Sequence, residues 1–185
     1  MQSNHTGENL NAPSDSLLSF PPNRESSEQQ ALARAIACIR ESLDLGVIFQ
    51  TTVTEVRQLL QADRVAIFQF DPDGDWNQGS IIAEDVLSDW KSALTIKVED
   101  HCFGDRFAIH YKQGRVQAVS DIYQAGLSDC HQQILDLFQI RANLVVPLLQ
   151  DTHLWGLLCV HQCSYPRDWT HAEIEFVQRI ASQLA

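Results

Sequence analysis

Two cysteines carry most of the chemistry legible in this chain. Cys102 sits in Asp100-His101-Cys102-Phe103, and Cys130 sits in Leu127-Ser128-Asp129-Cys130-His131. They stand twenty-eight residues apart, each beside an acid and a histidine. The thiolate is the reactive form of cysteine, and helix N-terminal N–H groups and a neighbouring imidazolium both favour it. Cys130 opens a helical pattern next to His131, so a reactive or covalently modified thiol and a plain buried cysteine are both open readings. Cys102 falls between polar residues in an expected loop, which argues for access. A Cys-His pair is also the minimum of a thiol hydrolase, yet no oxyanion turn or orienting third group accompanies it. A metal reading would gather His101, Cys102, Cys130, His131, Cys159, His161 and Cys163. No C-x-x-C pair exists, and strand spacing spreads the last three too far for a compact chelate.

The chain that positions these residues is acidic. With 13 basic and 24 acidic residues in 185, the net charge is −11. That balance argues against nucleic acid or an anionic membrane as the main partner. No apolar run is long enough to cross a bilayer, and no signal-peptide layout opens the sequence, so a cytoplasmic location is expected. Five cysteines at irregular spacing make a disulfide framework an unfavoured reading.

Residues 1–27 lack periodicity and read as a flexible leader. Leu32, Ala35, Ile36, Ile39 and Leu43 then follow helical spacing from a cap at Ser27, with Cys38 inside that helix. A second helix follows Gly46, with Val47, Val53, Val56 and Leu60 inward. Residues 64–84 read as a β-hairpin around Asp71-Pro72-Asp73-Gly74-Asp75, a solvated turn that lacks the bidentate Glu of a calcium loop. Phe103, Phe107, His110 and Tyr111 share one helical face ending at Gly114. A short strand near 115–120, a loop, and a helix from about Asp129 to Gln139 follow. Within that helix Cys130, Ile134, Leu137 and Phe138 share a face, bordered by His131 and Leu135. Two apolar strands, 142–149 and 154–163, alternate Trp155, Leu157, Cys159, His161 and Cys163 onto one side. Thr170 and Glu173 form a capping box for a last amphipathic helix. The order predicts an α+β fold with an antiparallel sheet between helices.

The combined runs Asp129-Cys130-His131, Arg141-Ala142-Asn143-Leu144-Val145-Val146-Pro147, Leu154-Trp155-Gly156-Leu157-Leu158 and His161-Gln162-Cys163 resemble the bilin-binding GAF domain of cyanobacteriochromes, within the phytochrome superfamily. Tyr111-Lys112-Gln113-Gly114-Arg115 and Ala62-Asp63-Arg64-Val65 fit the same family. Asp100-His101-Cys102-Phe103 is similar to the Asp-x-Cys-Phe signature of its two-cysteine branch. The resemblance covers residues 28–185 and implies a GAF-type antiparallel sheet sandwiched between helices. It implies a linear tetrapyrrole, phycocyanobilin or phycoviolobilin, joined by a thioether to Cys130, with Cys102 as a second, reversible attachment at the central methine. Asp100 and His131 would meet the pyrrole nitrogens, His161 would meet the terminal ring, and Phe103, Phe107 and Tyr111 would line the pocket. Phe107 stands where this branch often carries Trp. His101 fills the variable slot of the motif, where it could assist proton transfer at Cys102.

The function so implied is a photosensory module, not an enzyme acting on a free substrate. It would switch between a violet- or blue-absorbing state and a green, teal or orange one by Z/E isomerisation. Partners would be the bilin, a flanking output domain of a larger sensor, and a second copy joined through the terminal helices. The competing class is a non-photoactive GAF signalling domain holding a small ligand, which leaves Cys130-His131 and Asp100-x-Cys102 unexplained.

Overall fold

The computed structural model describes residues 24–41, 44–72 and 76–184; the side chains of 24–27, 38–41, 102, 105 and 106 fall outside the description. Most of the leader expected over 1–27, and the side chains of Cys38 and Cys102, therefore lie outside the described residues.

The first helix, α1 (Arg24–Glu41), begins before Ser27, because Arg24-Glu25-Ser26 contains no breaker; Ser27 is not its cap. Helix α2 (Leu45–Leu60) starts on Asp44, whose carboxylate accepts from Gly46 N at 2.9 Å. Strands β1 (Arg64–Phe70) and β2 (Gln78–Val86) form the expected hairpin. The connection that follows ends in a short edge strand, β3 (Lys97–Glu99). Then come α3 (His101–Arg106), α4 (Ala108–Lys112), β4 (Gln117–Val119) and α5 (Asp129–Leu137). Strands β5 (Ala142–Gln150) and β6 (His153–Gln162) and helix α6 (His171–Leu184) complete the chain.

The six strands make one antiparallel sheet in the order β3-β2-β1-β6-β5-β4. Its period-two alternation sends Val65, Ile67, Leu144, Val146, Leu158 and Val160 to a core shared with Val53, Val56 and Leu60 of α2 and Phe176, Val177 and Ile180 of α6. The other face carries Phe70, Val145, Leu157 and Cys159, under Phe103, Ala108 and Tyr111 from α3 and α4. This α+β sandwich is the one expected.

Three local expectations are corrected. Trp155 does not share the face of Leu157. The β5–β6 register jumps from Leu148↔Gly156 to Leu149↔Leu154, so Trp155 is the extra residue of a bulge and stacks on Phe49 of α2 with ring centroids 5.7 Å apart. The expected single helix over Phe103–Tyr111 breaks at Phe107 into α3 and α4, which leaves His110 exposed. In α5 the buried side chain is Leu135, and Leu137 is 76% exposed. The helix is rotated by the docking of His131 and Leu135, not of Cys130 and Leu137.

Helix α6 has its predicted capping box. Thr170 N donates to Glu173 Oε2 at 2.8 Å, and Glu173 N donates to Thr170 Oγ1 at 3.3 Å. Arg167 also donates to Glu173 at 2.8 Å. Backbone and side-chain hydrogen bonds from Thr170 and Arg167 hold the Glu173 carboxyl below its ordinary value against the opposing effect of burial.

Candidate functional site

Asp100 organises the mouth of the site. As N-cap of α3 it accepts from Phe103 N through Oδ1 at 2.9 Å, which makes Cys102 a residue of that helix instead of a loop. Its other oxygen, Oδ2, lies 2.8 Å from His131 Nδ1 near the start of α5. Its backbone N donates to Asn77 O at 2.7 Å, which ties this corner to β2. One carboxylate thus joins two helix starts thirty-one residues apart in sequence.

Cys130 occupies the first turn of α5, half-buried, with Ser128 Oγ 3.4 Å from its sulfur. It flanks the buried face and does not line either cavity of the site. Against the sequence expectation, Cys130 is disulfide-bonded. Among the described residues, Cys159 and Cys163 are free.

Two cavities meet at His131 and Gln117. The inner one, about 110 Å³, lies between the sheet and α3–α5. Phe68, Phe70, Phe103, Tyr111 and Leu157 make its apolar walls, and Asp100, His131 and His161 face it. The outer one, about 510 Å³, is bounded by Phe107, Arg115, Gln117, Asp121, Ser128 and His131. Phe107 is half-buried, its ring 6.3 Å from that of His131, with the Arg115 guanidinium 5.9 Å from its centroid. The aromatic walls are mutually braced. Phe103 lies 5.6 Å from Phe70 and 5.0 Å from Tyr111 between ring centroids.

Tyr111 O–H donates to Gln117 Oε1 at 2.7 Å. Burial, with Cys159 nearby, pushes its phenol well above the ordinary range, so it remains a neutral donor. Burial likewise raises the Cys159 thiol to about 12, which makes it an inert wall residue. His161 is lowered to about 3, first by burial and then by the Arg64 charge, and is therefore a neutral imidazole.

The residues missed in the sequence reading hold the roof. Arg64, 1% exposed, donates to Phe138 O at 2.8 Å and Lys91 O at 2.6 Å. Its Nε lies 2.9 Å from Glu84 Oε1, an ion pair without the alignment of a hydrogen bond. Glu84 in turn accepts from Ser92 Oγ at 2.5 Å and Ala93 N at 3.0 Å. This pair pins both the 87–96 segment and the end of α5. Arg64 stood in the sequence as the first residue of an apolar strand, a buried charge in need of a partner, but nothing named that partner.

Among the described residues, three buried polar atoms around the inner cavity have no hydrogen-bond partner: Asn77 Oδ1, Asn143 Oδ1 and His161 Nδ1. Buried groups of this kind are rare and costly. Aromatic walls with such atoms at the rim fit a flat, conjugated ligand with polar edges, and a linear tetrapyrrole has that character.

A GAF domain model matches residues 44–185. The chain is 37% identical over 162 residues to a putative methyl-accepting chemotaxis protein of Synechocystis sp., covering 88% of this chain and 16% of that one. It therefore spans about a sixth of that relative's length. Among solved structures it is similar to the PixJ GAF domain of Thermosynechococcus elongatus in its blue-light absorbing form. The identity there is 37%, with 84% of this chain and 85% of that chain covered at a TM-score of 0.69. It is also similar to JSC1_58120g3, whose far-red absorbing dark state holds biliverdin. The identity is 34%, covering 84% of this chain and 95% of that one at a TM-score of 0.76.

Proposed function

The chain belongs to the GAF domain family and to its cyanobacteriochrome branch, and from that premise we propose that it is a photosensory module binding a linear tetrapyrrole. The observation that carries this reading is the Asp100–His131 contact at 2.8 Å, which joins the starts of α3 and α5 beside an aromatic-walled cavity. When bound, the pigment supplies visible absorption and a double bond that light isomerises between Z and E. Everything else is work for this chain's residues.

Cys130, once reduced, provides the permanent attachment. Its S–H would add across a carbon–carbon double bond of the pigment, sulfur to one carbon and the proton to the other, with no net redox change. Asp100, whose carboxylate accepts from His131 Nδ1 across the cavity mouth, would accept pyrrole N–H bonds, and His131 would orient it beside the pyrroles. Phe103, Phe107 and Tyr111 hold the planar system and exclude water. His161 would meet the terminal ring. The Cys102 thiol would add reversibly at the central methine, its sulfur to the carbon and its proton to a pyrrole nitrogen, which would divide the conjugated system and give violet or blue absorption; release of Cys102 would restore absorption in the green, teal or orange. Phycocyanobilin and phycoviolobilin both suit this scheme. The chain turns over no free substrate and passes its signal to a flanking output module of a larger sensor. A second copy joined through the terminal helices is part of the same reading.

Co-expression with a phycocyanobilin source tests it. The product should be coloured, and its pigment should survive denaturation and fluoresce with zinc. Cys130→Ala should lose stable attachment, and Cys102→Ala should keep the pigment but lose the blue-absorbing state. A colourless wild-type product refutes the proposal.

A further inference from the structure

The inner and outer cavities lie side by side, and among the described residues only Gln117 and His131 line both. His131 is held by Asp100 at 2.8 Å. Gln117 opens the edge strand β4, half-buried, opposite Val145 of β5. Its side chain makes one hydrogen bond among the described residues, accepted at Oε1 from the Tyr111 O–H at 2.7 Å. On this side the wall between the cavities therefore hangs from a single bond between α4 and β4.

Neither cavity alone suits a linear tetrapyrrole. The inner one has aromatic walls, but its volume of about 110 Å³ falls short of the ~300 Å³ at which small-molecule sites begin. The outer one, about 510 Å³, has room but a polar lining that includes Arg115, Asp121, Gln124 and Ser128. A long conjugated ligand with a polar end fills both only if the Gln117 side chain leaves the space between them. Tyr111 is 1% exposed, and burial keeps its phenol protonated, so a donor released from Gln117 needs a new acceptor. A linear tetrapyrrole brings oxygen acceptors, while the half-buried Gln117 carboxamide can turn to water in the outer cavity. Both partners are then satisfied in either arrangement, which keeps the two close in free energy.

We propose that Gln117 and Tyr111 form a gate that divides the pocket, and that pigment entry opens it by taking over the Tyr111 hydrogen bond. This rests on the photoreceptor reading and adds to it the step that precedes attachment at Cys130. A closed gate reduces the fraction of chains competent to bind, and it slows attachment in proportion.

The test uses the whole chain, purified without pigment, reduced with a dithiol so that Cys130 is a thiol, and mixed with phycocyanobilin in darkness. The attachment rate is read from the growth of visible absorbance, and zinc fluorescence after denaturation verifies the covalent product. Tyr111→Phe keeps the ring that packs on Phe103 and removes the donor; Gln117→Ala removes the acceptor and the wall. Each should attach pigment about three- to tenfold faster than wild type, the worth of one hydrogen bond. The double variant should be no faster than the quicker single one, because the same bond is lost in each. A merely structural role for the pair predicts the opposite, slower attachment in a loosened pocket. Attachment no faster than wild type in Tyr111→Phe, or a double variant whose acceleration is the product of the two single ones, overturns the gate and leaves the photoreceptor reading intact. A Tyr111→Phe chain that fails to fold, followed by circular dichroism, assigns the bond a structural role and also overturns the gate. A wild-type chain that takes up no pigment refutes the photoreceptor reading and the gate with it.

Discussion

Glu84→Gln should be the most destabilising conservative change near the site. Glu84 and Arg64 have side chains 2% and 1% exposed, so the glutamine leaves a guanidinium in the interior without its counter-charge. Removing one partner of a buried ion pair costs about 3–5 kcal/mol. Arg64 keeps two carbonyl acceptors at 2.8 and 2.6 Å, which places the expectation at the lower end. With a urea slope of about 2 kcal/mol/M, a loss of about 3 kcal/mol lowers the unfolding midpoint by about 1.5 M. Replacing both residues by apolar ones, Arg64→Met with Glu84→Leu, should cost less than the single change, since no charge is then stranded. Equilibrium urea unfolding of the pigment-free protein, followed by Trp fluorescence, measures both. A midpoint shift under about 0.5 M for Glu84→Gln, or a double variant less stable than the single one, would refute the reasoning that this pair is a closed electrostatic unit.

Three further outcomes are expected. His161 has a folded pKa lowered to about 3 from 6.5. The unfolded chain therefore binds its proton first, and stability present above pH 6.5 falls by about 1.4 kcal/mol per pH unit towards pH 3; His161→Gln should flatten that acid limb in pH-dependent unfolding. Gly104→Ala should push a methyl group into Asn77 Oδ1 and loosen the Asn77–Asp100 tie. A stability loss of about 1–3 kcal/mol and slower pigment uptake should follow, both measurable on purified protein. Thr170→Ala should remove one side of the capping box of α6 and lower stability by about 1 kcal/mol in urea unfolding.

The sequence is legible where local rules act alone. A continuous apolar run over 142–149 marked a strand, and Thr170 with Glu173 marked a helix start, because each signal is complete within a few residues. Trp155 was assigned to the wrong face because a bulge depends on the partner strand, which alternation does not see. The α3–α4 break at Phe107 answers to the packing of its ring beside His131 and Arg115, not to a breaker residue. At the site, Asp100 and His131 were singled out separately, but their contact is a tertiary fact. The Arg64–Glu84 pair and the orphan amide of Asn143 were hidden for a related reason: one needs a partner twenty residues away, the other is defined by having none.

Arg64, His161 and Asn143 stand opposite one another on β1, β6 and β5 and form a row across the pocket face of the sheet. The row has a counterpart on the reverse. Each member is followed or preceded in its strand by Val65, Val160 and Leu144, all 0% exposed and all in the core under α2 and α6. The sheet is one residue thick, so the peptide groups that carry the polar row also carry the apolar one. A tilt imposed on His161 from the pocket is at the same time a displacement of Val160 among the helices. The sheet thus couples its pocket face to its helix face as a diaphragm does, with no lever or hinge between.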